Sequence, residues 1–136
     1  MIVADTSGLL ALFNRREPAH AAVAAFLGSA DEVLVVSPYV LAELDYLLAT
    51  RAGTEAELAV LREISGGAFV LASLEAEDVG QAAEVIERYA SLGIGIADAS
   101  LVVLAARLGT RTILTLDRRH FAVLRPLDGG RFKIVP

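Results

Sequence analysis

The chain has 136 residues, 55% of them hydrophobic, which is enough for one well-filled core and sits in the single-domain range. It contains no cysteine, which excludes disulfide staples, thiolate metal sites and cysteine nucleophiles and suits a reducing cytoplasm. A net charge of −5, with eleven arginines against the single Lys133, repels polyanions at long range, so any nucleic-acid contact has to be local.

Short β-rich apolar runs alternate with longer stretches of helical period, the pattern of repeated βα units around a parallel sheet. In chain order the spacing predicts a strand over 2–5 (IVAD), helices over 6–14 and 18–28, and a strand over 33–37 (VLVVS). Helices follow over 38–51 and 54–65, a strand over 68–71 (FVLA), and helices over 75–91 and 97–108. Strands over 112–116 (TILTL) and 131–135 (RFKIV) complete the series. Pro18 and Pro38 suit first helical turns, Thr54 with Glu57 has the spacing of a capping box, and Gly53, Gly93 and Gly109 suit helix ends. Strands this uniformly Val/Ile/Leu-rich belong where helices cover both faces of the sheet. The expected fold is therefore a three-layer α/β/α domain, spanning 1–136 as one unit, with a mainly parallel sheet of about five strands. No apolar run reaches the roughly 18 residues that cross a bilayer, and no signal segment precedes "MIVADTSG", so a soluble, unprocessed cytoplasmic protein is expected.

In such a sheet the strand carboxyl ends share one edge, and ligands bind there. Asp5 closes the first strand, and Asp117 follows the fourth in "ILTLDRRHF". Glu43 shares an inward-facing stripe with Val40 and Leu47, while Asp45 is turned away on a 3.6-residue period. Asp98 heads the stripe of Leu101, Ala105 and Leu108. Helices of a βα fold start where strands end, so the four acids should converge from four segments. Each has a plainer reading: Asp98 as a helix cap, Asp5 and Asp117 as loop acids. Glu43 is harder to dismiss, because a charge on a buried face is rare unless paired.

Four carboxylates about 5 Å apart would repel by roughly 3 kcal/mol per pair at an effective dielectric near 20, so a cation or raised pKa values must compensate. Oxygen-only donors without clustered His or Cys are the ligand set of Mg²⁺ or Mn²⁺ rather than zinc, His20 and His120 lying in no ligand-spaced motif. A hard divalent ion at an open sheet edge suits in-line hydrolysis of a phosphodiester. Asp5 would be its most central ligand, Asp98 and Asp117 would complete the shell, and Glu43 would ligate or orient the attacking water. Thr6 and Ser7 could hold water or a phosphate oxygen, or simply cap the first helix. Arg118 and Arg119, with His120, could meet substrate phosphates, or be solvated surface. Arg15 and Arg16 suit the macrodipole at the end of the first helix.

The stretches "IVADTSGLLALF", "SPYVLAEL", "GIADASLVVLAARLGTRTILTLDRRHF" and "FKIVP" together resemble the PIN-domain ribonucleases, specifically the VapC toxins of toxin–antitoxin pairs. The likeness runs from end to end. It implies a Mg²⁺- or Mn²⁺-dependent endoribonuclease with Asp5, Glu43, Asp98 and Asp117 as its acidic quartet, acting on structured RNA such as tRNA or a ribosomal loop. It further implies a homodimer and a VapB-like antitoxin that wraps the toxin and inserts a basic side chain among the acids. Helices such as "AHAAVAAFL" and "YVLAELDYLLA" offer apolar faces to such a partner, or to the sheet. Three rivals fit less well. A phosphoacceptor receiver needs paired acids after the first strand, a haloacid-dehalogenase phosphatase needs a second aspartate in "ADTSG", and no GxxxxGK[ST] loop supports nucleotide triphosphate binding. A non-catalytic interaction module would be favoured by loss of a site acid, and all four are present.

Overall fold

The strands form where Val, Ile and Leu cluster: β1 (Ile2–Ala4), β2 (Leu34–Val36), β3 (Val70–Leu71), β4 (Thr112–Leu114) and β5 (Lys133–Val135). In the computed structural model, which describes residues 1–136, they make one fully parallel sheet in the order β3-β2-β1-β4-β5. Val3 pairs in register with Val35 on one side and Ile113 on the other. The three residues of β1 and of β2 are all buried, as sequences lacking polar alternation require, whereas the edge strand β3 is exposed.

Seven helices flank the sheet: α1 (Thr6–Phe13), α2 (His20–Ser29), α3 (Pro38–Arg51), α4 (Thr54–Ser65), α5 (Ala76–Arg88), α6 (Ile96–Leu108) and α7 (Arg118–Val123). The chain steps one way from β1 through β2 to β3, then crosses back to β4 and β5. Right-handed crossovers therefore put α1 to α4 on one face and α5 to α7 on the other, the expected three-layer α/β/α arrangement. Helix α6 is buried continuously from Ala99 to Ala105. Its large buried residues Leu101, Val102, Val103 and Leu104 are each worth about 1.5–3 kcal/mol of burial, which is why this helix reads as solid core in the sequence.

Helix α3 begins as expected, with Pro38 in its first turn and the Ser37 hydroxyl accepting from the Tyr39 amide at 3.3 Å. Four local expectations are corrected. The residue before α4 is Gly53 at φ 88°, with no side-chain cap, so Thr54 and Glu57 form no capping box. The reciprocal box occurs instead between Glu75 and Asp78 at the start of α5. Pro18 lies in a turn ahead of α2 rather than inside it, and Arg15 and Arg16 lie beyond the end of α1 at Phe13. The helix expected to reach residue 91 stops at Arg88, where a single 3-10 turn over Ala90–Leu92 carries the chain to left-handed Gly93. The six-residue α7 has no counterpart in the sequence reading, because it is too short to show a period.

One glycine is fixed by packing. A Cβ on Gly8 would fall 2.7 Å from Leu114 Cγ and 2.8 Å from the Leu114 carbonyl oxygen, so only glycine lets α1 lie against the end of β4. That contact draws the residues after β1 and β4 together. Strand order changes direction between β1 and β4, and a parallel sheet opens its crevice at such a point.

Candidate active site

A cleft of about 640 Å³ opens at that switch point, and Asp5, Glu43, Asp98 and Asp117 all line it. Asp5 is the deepest, only 5% exposed. Its Oδ2 accepts hydrogen bonds from Ser7 Oγ and Thr115 Oγ1, each at 2.7 Å. The same hydroxyls accept in turn from the next strand exit: the Leu116 amide donates to Ser7 at 3.0 Å and the Asp117 amide to Thr115 at 2.9 Å. A network of two hydroxyls and one carboxylate thus ties the end of β1 to the end of β4 and fixes where Asp117 leaves the sheet. Oδ1 of Asp5 receives no protein hydrogen bond, which leaves it available to the cleft.

Asp98 lies three residues inside α6, whose cap position is Gly95, so it does not cap the helix. Its side chain is 19% exposed and faces His120, whose Nδ1 stands 3.1 Å from Asp98 Oδ2 and 3.0 Å from Asp117 Oδ2. Nδ1 thus lies within hydrogen-bonding distance of both carboxylates. Burial raises the Asp98 carboxyl from its ordinary 3.8 to about 6, with the nearby charge of Asp5 as the second cause; His120 pulls the other way. Asp117 combines two roles: it caps α7 by accepting from the His120 amide at 3.0 Å, and it presents its other oxygen to the His120 ring.

Glu43 is in the cleft but not on a buried stripe. The core stripe of α3 is Val40, Leu44 and Leu48, and Glu43 is exposed at the cleft wall. The expected stripe through Val40 and Leu47 mixed two adjacent faces of the helix. Asp45 does turn away, to a hydrogen bond with Glu57 of α4 that raises the Glu57 carboxyl above its usual range.

Thr6 and Ser7 both line the cleft. Ser7 is committed to Asp5, whereas Thr6 Oγ1 is buried with no partner. Arg118 and Arg119 do not line it; Arg118 donates to the Pro136 carbonyl at 2.8 Å. The residue of that cluster in the cleft is His120, and a helical spacing of three from Asp117 was the only signal for it. Sequence reasoning also passed over Thr115, two residues before Asp117, and the Ser37–Ser100 hydroxyl pair at 2.7 Å that joins the start of α3 to α6. His20 bonds the Ala11 carbonyl at 2.8 Å and serves packing.

The donors fit a hard divalent cation in kind: they are carboxylates, one of them pushed towards its neutral form by burial and by the charge of Asp5. No three acidic or imidazole groups yet surround a common point at ligand geometry, so binding an ion requires the side chains to draw in.

Residues 2–125 match the family described as PIN domain. The chain belongs to the PIN-domain family. This PIN domain is 59% identical to Ribonuclease VapC26 of Mycobacterium tuberculosis across 99% of its own length and 100% of that protein. Among solved structures it resembles M. tuberculosis VapC20, a toxin described as cleaving the sarcin–ricin loop, with a TM-score of 0.86 at 24% identity over the full length of both chains. It also resembles VapBC2 of Rickettsia felis bound to a promoter DNA fragment, with a TM-score of 0.71 at 19% identity and full coverage of both.

Proposed function

We propose that this PIN domain is an endoribonuclease toxin of the VapC type, with the cleft at the β1/β4 switch point as its active site. One observation supports this reading above the others: four acids from four separate segments line one cleft, where burial, with the nearby charge of Asp5 second, raises the Asp98 carboxyl. A fold tolerates that arrangement where a cation is meant to enter.

Asp5, Asp98 and Asp117 would hold a Mg²⁺ or Mn²⁺ ion, with Glu43 as a further ligand or as the group that orients the attacking water. Such an ion supplies charge neutralisation at the phosphate and lowers the pKa of water. The chain's own residues do the rest. Ser7 and Thr115 fix the Asp5 carboxylate by two hydrogen bonds, and a pre-set ligand costs no reorganisation at the moment of reaction. Thr6, whose buried hydroxyl has no protein partner, would donate to a phosphate oxygen. The water oxygen would bond to phosphorus and give its proton to Glu43 at the cleft wall, while the bond from phosphorus to the ribose oxygen opposite breaks and that oxygen takes a proton from solvent. Arg118 and Arg119, outside the cleft on α7, would meet flanking phosphates.

Structured RNA is the proposed substrate class, supported by the similarity to a ribonuclease and to a toxin described as cleaving the sarcin–ricin loop. Solved neighbours that are toxin–antitoxin complexes support a VapB-like antitoxin as partner, and a homodimer and a cytoplasmic setting complete the proposal. No helix is long and apolar enough to cross a membrane. Purified protein free of antitoxin should cleave total RNA with Mg²⁺ or Mn²⁺, and Asp5→Asn should not. Cleavage in chelator, or equal cleavage by Asp5→Asn, overturns the assignment and leaves a non-catalytic interaction module.

A further inference from the structure

The cleft extends well beyond the four acids. Tyr39, Glu43, Leu47 and Arg51 recur every fourth residue of α3, and all four line it. They form one stripe along the helix, with Arg51 roughly 12 Å beyond Glu43 at about 1.5 Å of rise per residue. Between the two ends the wall is apolar, made by Leu47 with the largely buried Leu10 of α1. Arg51 is the only lysine or arginine among the fifteen lining residues, and it makes no ion pair. A molecule with a net charge of −5 whose cleft holds four acids has thus placed one unpaired permanent cation in that cleft, at a distance from the acids.

We propose that Arg51 binds a phosphate of the RNA strand away from the one being cut, so that the strand runs along the α3 stripe with a nucleoside seated against Leu10 and Leu47. This rests on the ribonuclease reading given above and adds the strand's direction and a specific anchor. The charge pattern requires such an anchor: the acids repel every phosphate except the one at a bound cation, so further affinity has to come from a cation placed beyond their reach. A guanidinium suits this because it presents a planar fork of donors to phosphate oxygens and stays charged at all working pH values. The competing role is structural, since Arg51 ends α3, where a cation complements the helix dipole.

The two roles separate in a binding experiment on full-length protein carrying Asp5→Asn, with or without Arg51→Gln, titrated by fluorescence anisotropy with a labelled uridine dinucleotide and a longer uridine oligomer in Mg²⁺. Arg51→Gln should leave dinucleotide binding unchanged and weaken oligomer binding about tenfold, the size of one lost charge-assisted hydrogen bond. The slope of log affinity against log salt for the oligomer should fall by about 0.7, one phosphate contact on a single strand. Arg51→Lys should keep the slope. An unchanged oligomer affinity and slope overturns the proposal, and so does an equal loss for both lengths. A drop in melting temperature with the slope intact assigns Arg51 to the helix end and likewise overturns it. Cleavage by the wild-type protein is measured separately, so failure of the nuclease reading is seen as absent cleavage and not as an altered salt slope.

Discussion

Replacing Asp98 by asparagine should stabilise the metal-free protein at neutral pH, although it removes a charged residue from a helix. In the folded state the carboxyl titrates at about 6, against 3.8 ordinarily, so between these values the folded form binds more protons than the unfolded one. Stability contributed by the protonated group is full below pH 3.8 and is lost as pH rises through 6. The shift corresponds to at most about 3 kcal/mol of destabilisation once the group is ionised. The cleft is open to solvent, which screens its charges, so about half of that is a fair expectation. Asparagine gives back part of the gain, because an acid in the first turn of α6 is worth about 0.3–1 kcal/mol against the helix dipole. The net at pH 8 is about 1 kcal/mol in favour of the variant, roughly 3–5 °C in melting temperature for a chain of this size. At pH 4 the difference should vanish or reverse. Thermal unfolding of both proteins in chelator at the two pH values measures this. With saturating Mg²⁺ the order should invert, because an ion bound only to the folded wild type adds RT ln(1 + [L]/Kd). If Asp98→Asn is less stable than wild type by 1 kcal/mol or more at pH 8 in chelator, the repulsion argument is wrong.

Three further substitutions probe the supports of the site. Thr115→Val removes the hydroxyl that bonds Asp5 and receives the Asp117 amide; it should cost about 1–3 kcal/mol in chemical denaturation and lower cleavage at least tenfold. Gly8→Ala should cost about 1–3 kcal/mol, since its Cβ would press on Leu114 Cγ and on the Leu114 carbonyl, and the backbone cannot swing aside as a side-chain tip does; the amide spectrum should shift at both strand exits. Thr6→Val swaps a buried, unpartnered hydroxyl for a methyl of the same shape. It should raise the melting temperature while weakening RNA binding, and loss of stability would show that Thr6 Oγ1 has a partner in solution.

Which acids line the cleft was legible in the sequence because the signal is local: Asp5 and Asp117 directly follow apolar strand runs, and Asp98 lies in the first turn of a helix. What the pattern could not show was how each is held. Thr115 reads as one more β-former, yet it is the hinge of the Asp5–Asp117 network, and its role depends on β1 and β4 being neighbours although they lie more than a hundred residues apart. His120 looked like the tail of a basic surface cluster until the short helix α7 turned it inwards and left Arg118 and Arg119 outside the cleft. Glu43 was expected on the inner stripe because apolar residues flank it on both sides, and only packing against the core distinguished the buried Val40, Leu44 and Leu48 from the cleft wall.

By itself the sequence determined the parallel α/β class, the chain order of the longer elements and the acids that line the cleft, since these follow from periodicity, from residues that end strands and start helices, and from likeness along the whole chain. The tertiary structure alone decided the strand order that puts the crevice between β1 and β4, the hydroxyl network, the histidine between two carboxylates and the arginine at the far end of the cleft. Those depend on contacts between distant segments, and such contacts leave no local period in the chain to be read.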